Sequence, residues 1–335
     1  MEEEGEAAAA DFSCLNESCI SHILSLTSPL DVSRSSAVST LFRSAADSDA
    51  IWDRFLPPDY PQILSTSTSS ALHFSSSSKK DLFFRLCDDP ILLDGATKMS
   101  YVFVFVFVFV FLCCRLQYEV QAACGTLVAV WQNIFWLEKS SGRKCYALPA
   151  RELLIIWRDM PTRWRWISQH ESRIAEVAEL LGVNWLEISG KFDIRMLSSE
   201  TTYSAFLVLK FTEDTQGLGH RPMELMVKVE GNVCKNDALL LTTESERQRY
   251  HSKLEQVIAQ LNTLRGAWMT KILDNFMKDL QIPVARTDGW LEIEMGEFFV
   301  GKRGRGEVEM SLMEIKGGYL KSGLIIQGIE IRPKK

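Results

Sequence analysis

The stretch "DGWLEIEMGEFF", residues 288–299, puts Leu291, Ile293 and Met295 on one side of an extended chain and Trp290, Glu292 and Glu294 on the other. Successive side chains of a strand point to opposite faces, so this spacing predicts a strand with one face in a core and carboxylates outside. "MELMVKVE" repeats the pattern, with Leu225, Val227 and Val229 opposing Glu224, Met226 and Lys228. "NWLEISG", "TTYSAFLVLKF", "VEMSLMEI" and "GLIIQGIEIRP" read as further strands, and Gly-containing turns separate the last ones. Short strands with polar outer faces predict an antiparallel, jelly-roll-like β-sandwich over residues 134–335. A helical insertion is expected at 244–280, where Leu254, Val257, Leu261, Leu264 and Trp268 follow a 3,4 repeat. Such a stripe fits a helix lying on the sandwich or a short coiled-coil contact.

Upstream the periodicity is helical. After an acidic tail at residues 1–11, the segment 12–58 carries Leu15, Cys19, Ile23 and Leu26 at helical spacing, then Ala37, Val38, Leu41, Phe42 and Ala45. Ser28 is placed to cap a helix begun by Pro29, with Asp31 completing a capping box. A last short helix carries Ile51, Trp52, Phe55 and Leu56, and Pro57-Pro58 stops it. The chain is thus expected to be α+β and multidomain. Residues 59–100 form a Ser-rich linker and lead-in, because the Ser/Thr-rich run at 62–80 has too few apolar side chains for a core.

Residues 101–133 are anomalous. The alternation in "YVFVFVFVFVFLCC" (101–114) puts β-favouring apolar groups on both faces of a strand, which is an aggregation hazard. The apolar run is shorter than the ~20 residues of a spanning helix. A repeat of GTT and TTT codons encodes alternating Val and Phe, so the segment reads as translated intron or a gene-model error. The alternative is a real strand hairpin turning near Gly125.

The totals exclude several classes. Lys+Arg is 37 against Asp+Glu 43, a formal charge of −6, which suits a phosphate backbone poorly. The start "MEEEGEAAAADF" has glutamates where a signal peptide has basic residues. Eight cysteines show no CxxC spacing, so they read as reduced thiols, and the expected location is cytoplasm and nucleus. The sequon at Asn16 is then idle. Five scattered histidines and the absence of Walker A, HExxH and GxSxG patterns argue against catalysis, a metal site or a cofactor. "GKRGRG" (301–306) lies between strands rather than before a helix, so it reads as a hairpin loop.

One segment is chemically dense. In "LLIIWRDMPTRWRWISQ", residues 153–169, Trp157, Trp164 and Trp166 interleave with Arg158, Arg163 and Arg165 around Pro161. Indoles and guanidiniums can stack single-stranded nucleic acid, hold sugar rings by their C–H faces, or fill a core.

Two longer stretches resemble known families. "CISHILSLTSPLDVSRSSAVSTLFRSAADSDAIWDRFLP" resembles an F-box. "FWLEKSSGRKCYALPARELLIIWRDMPTRWRWI", "SRIAEVAELLGVNWLEISGKFDIRMLS", "DGWLEIEMGEFF" and "GLIIQGIEIRP" resemble the phloem-protein-2, or Nictaba-like, lectins. The order matches plant F-box proteins of the phloem-protein-2 B type. Where that family opens its F-box with Leu-Pro, this chain has Leu15-Asn16, and residues 101–133 have no counterpart in the family.

This resemblance implies a non-catalytic substrate-recognition subunit of a cullin-RING (SCF-type) ubiquitin ligase. Its adaptor would meet the F-box through a set drawn from Leu15, Ile20, Ile23, Leu24, Pro29, Leu30, Val32, Val38, Leu41, Phe42 and Trp52. Its lectin domain would bind glycoproteins bearing N-acetylglucosamine. The family's sugar-binding tryptophans fall on Trp157 and Trp164, and a late carboxylate falls on Glu309. Partners are then the adaptor and a glycan, with no nucleic acid and no membrane. A free nucleocytoplasmic lectin, or a protein-binding adaptor with a decayed sugar site, remains as an alternative.

Overall fold

A computed structural model of the chain describes residues 15–67, 78–95, 131–170, 172–241, 280–302 and 304–334, with scattered helical positions between 246 and 259. The helices are α1 (Glu17–Ser25), α2 (Pro29–Ser35), α3 (Thr40–Ala46), α4 (Asp49–Phe55), α5 (Tyr60–Ser65) and α6 (Lys79–Asp88). Their starts follow the local chemistry. Asn16, where relatives are expected to carry proline, accepts from the Cys19 amide at 2.8 Å and caps α1. Ser28 accepts from the Asp31 amide and donates to its carboxylate, which is the expected capping box, with Pro29 in the first turn.

The strands are β1 (Ile91–Gly95), β2 (Trp131–Leu137), β3 (Lys144–Pro149), β4 (Leu154–Ile155), β5 (Trp164–Ile167), β6 (Val177–Leu180), β7 (Leu186–Asp193) and β8 (Thr201–Gln216). Then come β9 (Met223–Val229), β10 (Asn232–Ala238), β11 (Leu280–Gln281), β12 (Val284–Ala285), β13 (Leu291–Val300), β14 (Glu307–Glu314) and β15 (Ser322–Pro333). They build a nine-stranded sheet with path β1-β2-β3-β15-β8-β13-β12, to which β5 and β6 attach, and a six-stranded sheet β11-β10-β9-β14-β7-β4. All pairings are antiparallel except β10 with β11. The sheets pack face to face. Gly190 of β7 lets Leu153, Leu148 and Ile329 approach so closely that an added Cβ would lie 2.9–3.5 Å from them.

In β13 the inward set is Ile293, Met295, Phe298 and Val300, so the alternation slips by one after Met295. A register shift between Glu294 and Gly296 accommodates it. Gly296 takes φ +153, and a Cβ there would meet Val227 and Cys234 at 3.1 Å. Trp290, expected on the polar face, is instead buried with Val177, Val208 and Ile325, and the Lys210 ammonium lies 4.7 Å from the ring centroid.

Residues 59–100 are more than a linker. They supply α5, α6 and β1, and Ile63, Leu82, Phe83, Leu86, Ile91 and Leu93 are buried. Residues 68–77 of the Ser-rich run lie outside the described residues. So do residues 101–130 of the anomalous segment and the apolar seam expected within 244–280; positions 246, 248, 252, 256 and 259 are helical.

The last residues of the anomalous segment, Trp131, Gln132 and Asn133, belong to β2 and face Gly95, Asp94 and Leu93 of β1. Gly95 and Trp131 are therefore cross-strand partners, about 5 Å apart. A two-residue turn can close such a pair. Replacing residues 96–130 by Asn-Gly is thus expected to preserve the fold and to stabilise it by roughly 2 kcal/mol through the shorter closed loop. Soluble yield should rise because the Val/Phe run is removed. A variant that melts below the parent chain would show that 96–130 contribute packing.

Candidate functional site at the loop end of the six-stranded sheet

The tryptophan-arginine segment folds back on itself. Edge strand β4 pairs with β7, and the Ile156 amide donates to the Glu187 carbonyl at 3.1 Å. Trp157 then takes φ +62, a left-handed conformation costing a non-glycine residue about 1–2 kcal/mol. Its carbonyl accepts from Met160 at 2.9 Å, the chain turns at Pro161, and β5 begins at Trp164.

The two expected sugar-binding tryptophans separate here. Trp157 is 48% exposed, whereas Trp164 is 2% exposed. The Trp164 indole nitrogen donates to the Ile156 carbonyl at 3.0 Å. Trp164 therefore cannot present a ring face to a ligand. It is a core residue holding the backbone one step before Trp157. Trp166 is half-buried under Arg151, whose guanidinium carbon is 3.7 Å from the ring centroid.

The interleaved arginines have internal partners. Arg158 donates to the carbonyls of Arg151 and Leu153, Arg163 to that of Gly182, and Arg165 makes a bidentate pair with Glu179 at 2.8–3.0 Å. Guanidiniums so engaged are poorly placed to track a phosphate backbone.

Glu309 faces outward on β14, as expected, but stands apart from Trp157. Its neighbours are Lys191 of β7 and Lys228 of β9, with ammonium groups at 3.3 and 3.9 Å. Met313, four positions along β14, is the residue that faces Glu187. About 13 Å of strand therefore lies between Glu309 and the row beside Trp157. The structure does not bring Trp157, Trp164 and Glu309 into one site.

It does gather exposed apolar side chains at Trp157's end of the sheet: Met160, Leu181, Trp185, Ile315, Tyr319 and Leu320. Trp185, 55% exposed, immediately precedes β7 and escapes the sequence reading because "NWLEISG" scores only as a strand. His220 stacks on Tyr319 with centroids 5.4 Å apart.

The residues expected to meet the adaptor also sort by burial. Ile20, Leu24, Pro29, Val32 and Trp52 are buried and hold the helices together, so they are corrected to core positions. Leu15, Leu41 and Phe42 are partly buried against that core. Ile23, Leu30 and Val38 are exposed, and Leu26, outside the expected set, joins them at 65% exposed.

The chain is thus a helical unit presenting apolar side chains, joined to a two-sheet antiparallel sandwich with an aromatic loop end. The F-box domain matches residues 12–54 and the Phloem protein 2 family matches residues 143–333. The chain belongs to the phloem protein 2 family, in its F-box-bearing branch. Among its relatives in Arabidopsis thaliana, one F-box protein is 38% identical over 324 residues, covering 97% of this chain and 81% of that protein. F-box protein VBF is 35% identical over 326 residues (96% and 99%), and F-box protein PP2-B1 is 33% identical over 347 residues (98% and 91%). Among solved structures, a Clostridium thermocellum xylanase fragment with a carbohydrate-binding module, complexed with xylohexaose, matches at 9% identity. It covers 56% of this chain and 27% of that one with a TM-score of 0.27, too low to carry an argument.

Proposed function

We propose that this chain is the substrate-recognition subunit of an SCF-type ubiquitin ligase that selects glycan-bearing proteins, acting in cytoplasm and nucleus. The observation that carries the reading is a pair of exposed apolar surfaces on two halves that share one hydrophobic cluster. The F-box exposes Ile23, Leu26, Leu30 and Val38, and the sandwich exposes Trp157 on strained backbone at its loop end. Ubiquitin chemistry belongs to the partner proteins, and this chain supplies proximity. The indole of Trp157 offers a pyranose its apolar face with few rotors to freeze, and N-acetylglucosamine-containing oligosaccharides are the proposed ligand. A protein-binding adaptor with a decayed sugar site is the second reading, favoured by the aliphatic Leu181, Ile315 and Leu320 around the indoles.

The F-box half is tested on the full chain. Ile23→Asp/Leu30→Asp is expected to weaken co-purification with the adaptor by thirtyfold or more, because apolar anchors of an interface lose ~2 kcal/mol or more when replaced. The melting temperature should hold, since both side chains are exposed. Undiminished pull-down would remove this surface from the adaptor interface. The sandwich half is tested by a glycan array, again with the full chain. A fragment starting at residue 134 would lose β1 and the first residues of β2. Binding to N-acetylglucosamine-containing glycans is expected, and silence from a folded sample would favour the protein-binding reading.

A further inference from the structure

Beyond Trp157, the loop end carries a carboxylate, Glu187, and a second exposed indole, Trp185. Trp185, Leu186 and Glu187 enter β7 in succession, and Leu186 is buried in the core, so Trp185 and Glu187 share the outer face. Glu187 is half-buried, and its carboxylate has neither ion pair nor hydrogen bond among the described residues. Only its carbonyl is used, by the Ile156 amide one residue before Trp157. Glu309, by contrast, is flanked by two ammonium groups.

The backbone beneath Trp185 is fixed from below. Lys321, 2% exposed, pairs with the carboxylate of Glu314 and donates to the carbonyls of Asn184 at 2.7 Å and Tyr319 at 3.1 Å. The Val183 and Lys321 backbones bridge in both directions, at 2.7 and 3.0 Å. Glu314 in turn accepts from the Gly317 amide at 2.6 Å. One buried ammonium therefore ties the loop bearing Trp185 to the loop bearing Tyr319. Along the sheet end, Trp157 leaves β4, Trp185 enters the adjacent β7, and Ile315 leaves β14 beyond it. The row spans two strand spacings, about 10 Å, room for more than one sugar ring.

We propose that Trp185 and Glu187 are ligand-contacting residues which, with Trp157, form an extended subsite for a linear oligosaccharide. Trp185 stacks on a second ring, and Glu187 accepts hydroxyl hydrogens from the sugar. The assignment rests on the glycan reading above. Ring faces alone would suit a peptide as well. A carboxylate with no cation of its own among the described residues, beside two exposed indoles, is the combination a polyol needs, with apolar C–H faces for the rings and hydroxyl donors for the oxygens.

The test is calorimetric titration of the full chain with N-acetylglucosamine and its linear dimer and trimer. The parent chain is expected to bind more tightly as the oligomer lengthens. Trp185→Ala should lose that gain, about thirtyfold on the trimer, and leave the monomer little changed. Glu187→Gln should weaken every length about tenfold, and Glu309→Gln should change nothing. Trp185→Leu keeps apolar bulk without a ring and gives the same answer if alanine lowers the melt. Should Trp157→Ala abolish binding while both Trp185 variants keep the parent's length dependence, this assignment falls and the glycan reading stands. It falls equally if Glu309→Gln, and not Glu187→Gln, loses affinity. Silence of the parent chain at every length removes the glycan reading and this subsite together.

Discussion

Trp164→Ala is expected to destabilise the chain by about 3–5 kcal/mol, the usual cost of emptying a tryptophan-sized site in a packed core. The indole is 2% exposed, and its N–H satisfies the Ile156 carbonyl. Leaving that carbonyl without its donor adds to the cost of the cavity. Trp157→Ala should behave oppositely, with sugar binding lost and the melt nearly unchanged, because the side chain is half in solvent and alanine inherits the same left-handed backbone. Trp157→Gly sharpens the contrast. It removes the ring and the conformational penalty together, so the unfolding free energy should hold or rise by about 1 kcal/mol while binding still disappears. A binding residue held on strained backbone loses function as it gains stability. If Trp157→Gly unfolds the chain, Trp157 is a packing residue and the sandwich's proposed site is wrong.

That contrast also marks where the sequence stops being legible. Alternation and apolar runs located six of the fifteen described strands, β7, β8, β9, β13, β14 and β15, because burial on one face writes a period of two into a strand long enough to show it. Strands β1 to β6 and β10 to β12, several of them only two to four residues long, were not located. Capping chemistry located α2 for the same local reason. The roles of Trp157 and Trp164 are not local. One left-handed residue turns the first outward, and a hydrogen bond across the turn draws the second inward; neither leaves a pattern in "WRDMPTRW". Glu309 shows the same limit. Its outward direction follows from alternation, but Lys191 and Lys228, which neutralise it, come from strands far away in sequence. Two misses had a usable signal. Leu82, Phe83 and Leu86 carry helical spacing after the Ser-rich run and mark α6. Gly296 interrupts the opening alternation at the bulge.

Trp52→Ala should unfold more than the F-box. Trp52 is fully buried among Phe55, Phe83 and Phe84, with ring centroids 5.2–5.7 Å away, and its indole N–H donates to the Ala46 carbonyl at 2.6 Å. Those rings face the sandwich as well as the helices. A Cβ on Gly142, at the β2–β3 turn and with φ +70, would lie 2.7 Å from the Phe55 carbonyl and 3.1 Å from the Phe83 ring. Lys144 of β3, nearly buried, reaches Asp59 at 2.6 Å, and Lys139 reaches Asp88 at 3.0 Å. One hydrophobic cluster runs without a break from Ile20 in α1 to Ile331 in β15. Two domains joined by a flexible linker would melt separately, whereas two halves sharing a core melt together. The expected result is therefore a single calorimetric transition in the parent chain that moves down as one in Trp52→Ala, by the equivalent of about 3–5 kcal/mol. Adaptor capture and glycan binding, the two proposed activities, should be lost over the same temperature range, although Trp52 is fully buried. An F-box transition that falls while the sandwich transition stays in place would mean that the two halves are coupled only by the chain. A shared core has a functional consequence that a tether lacks. On the proposed function, it fixes the direction from the F-box surface to the loop end of the sandwich, so that a captured protein would be presented to the ligase at one distance and angle.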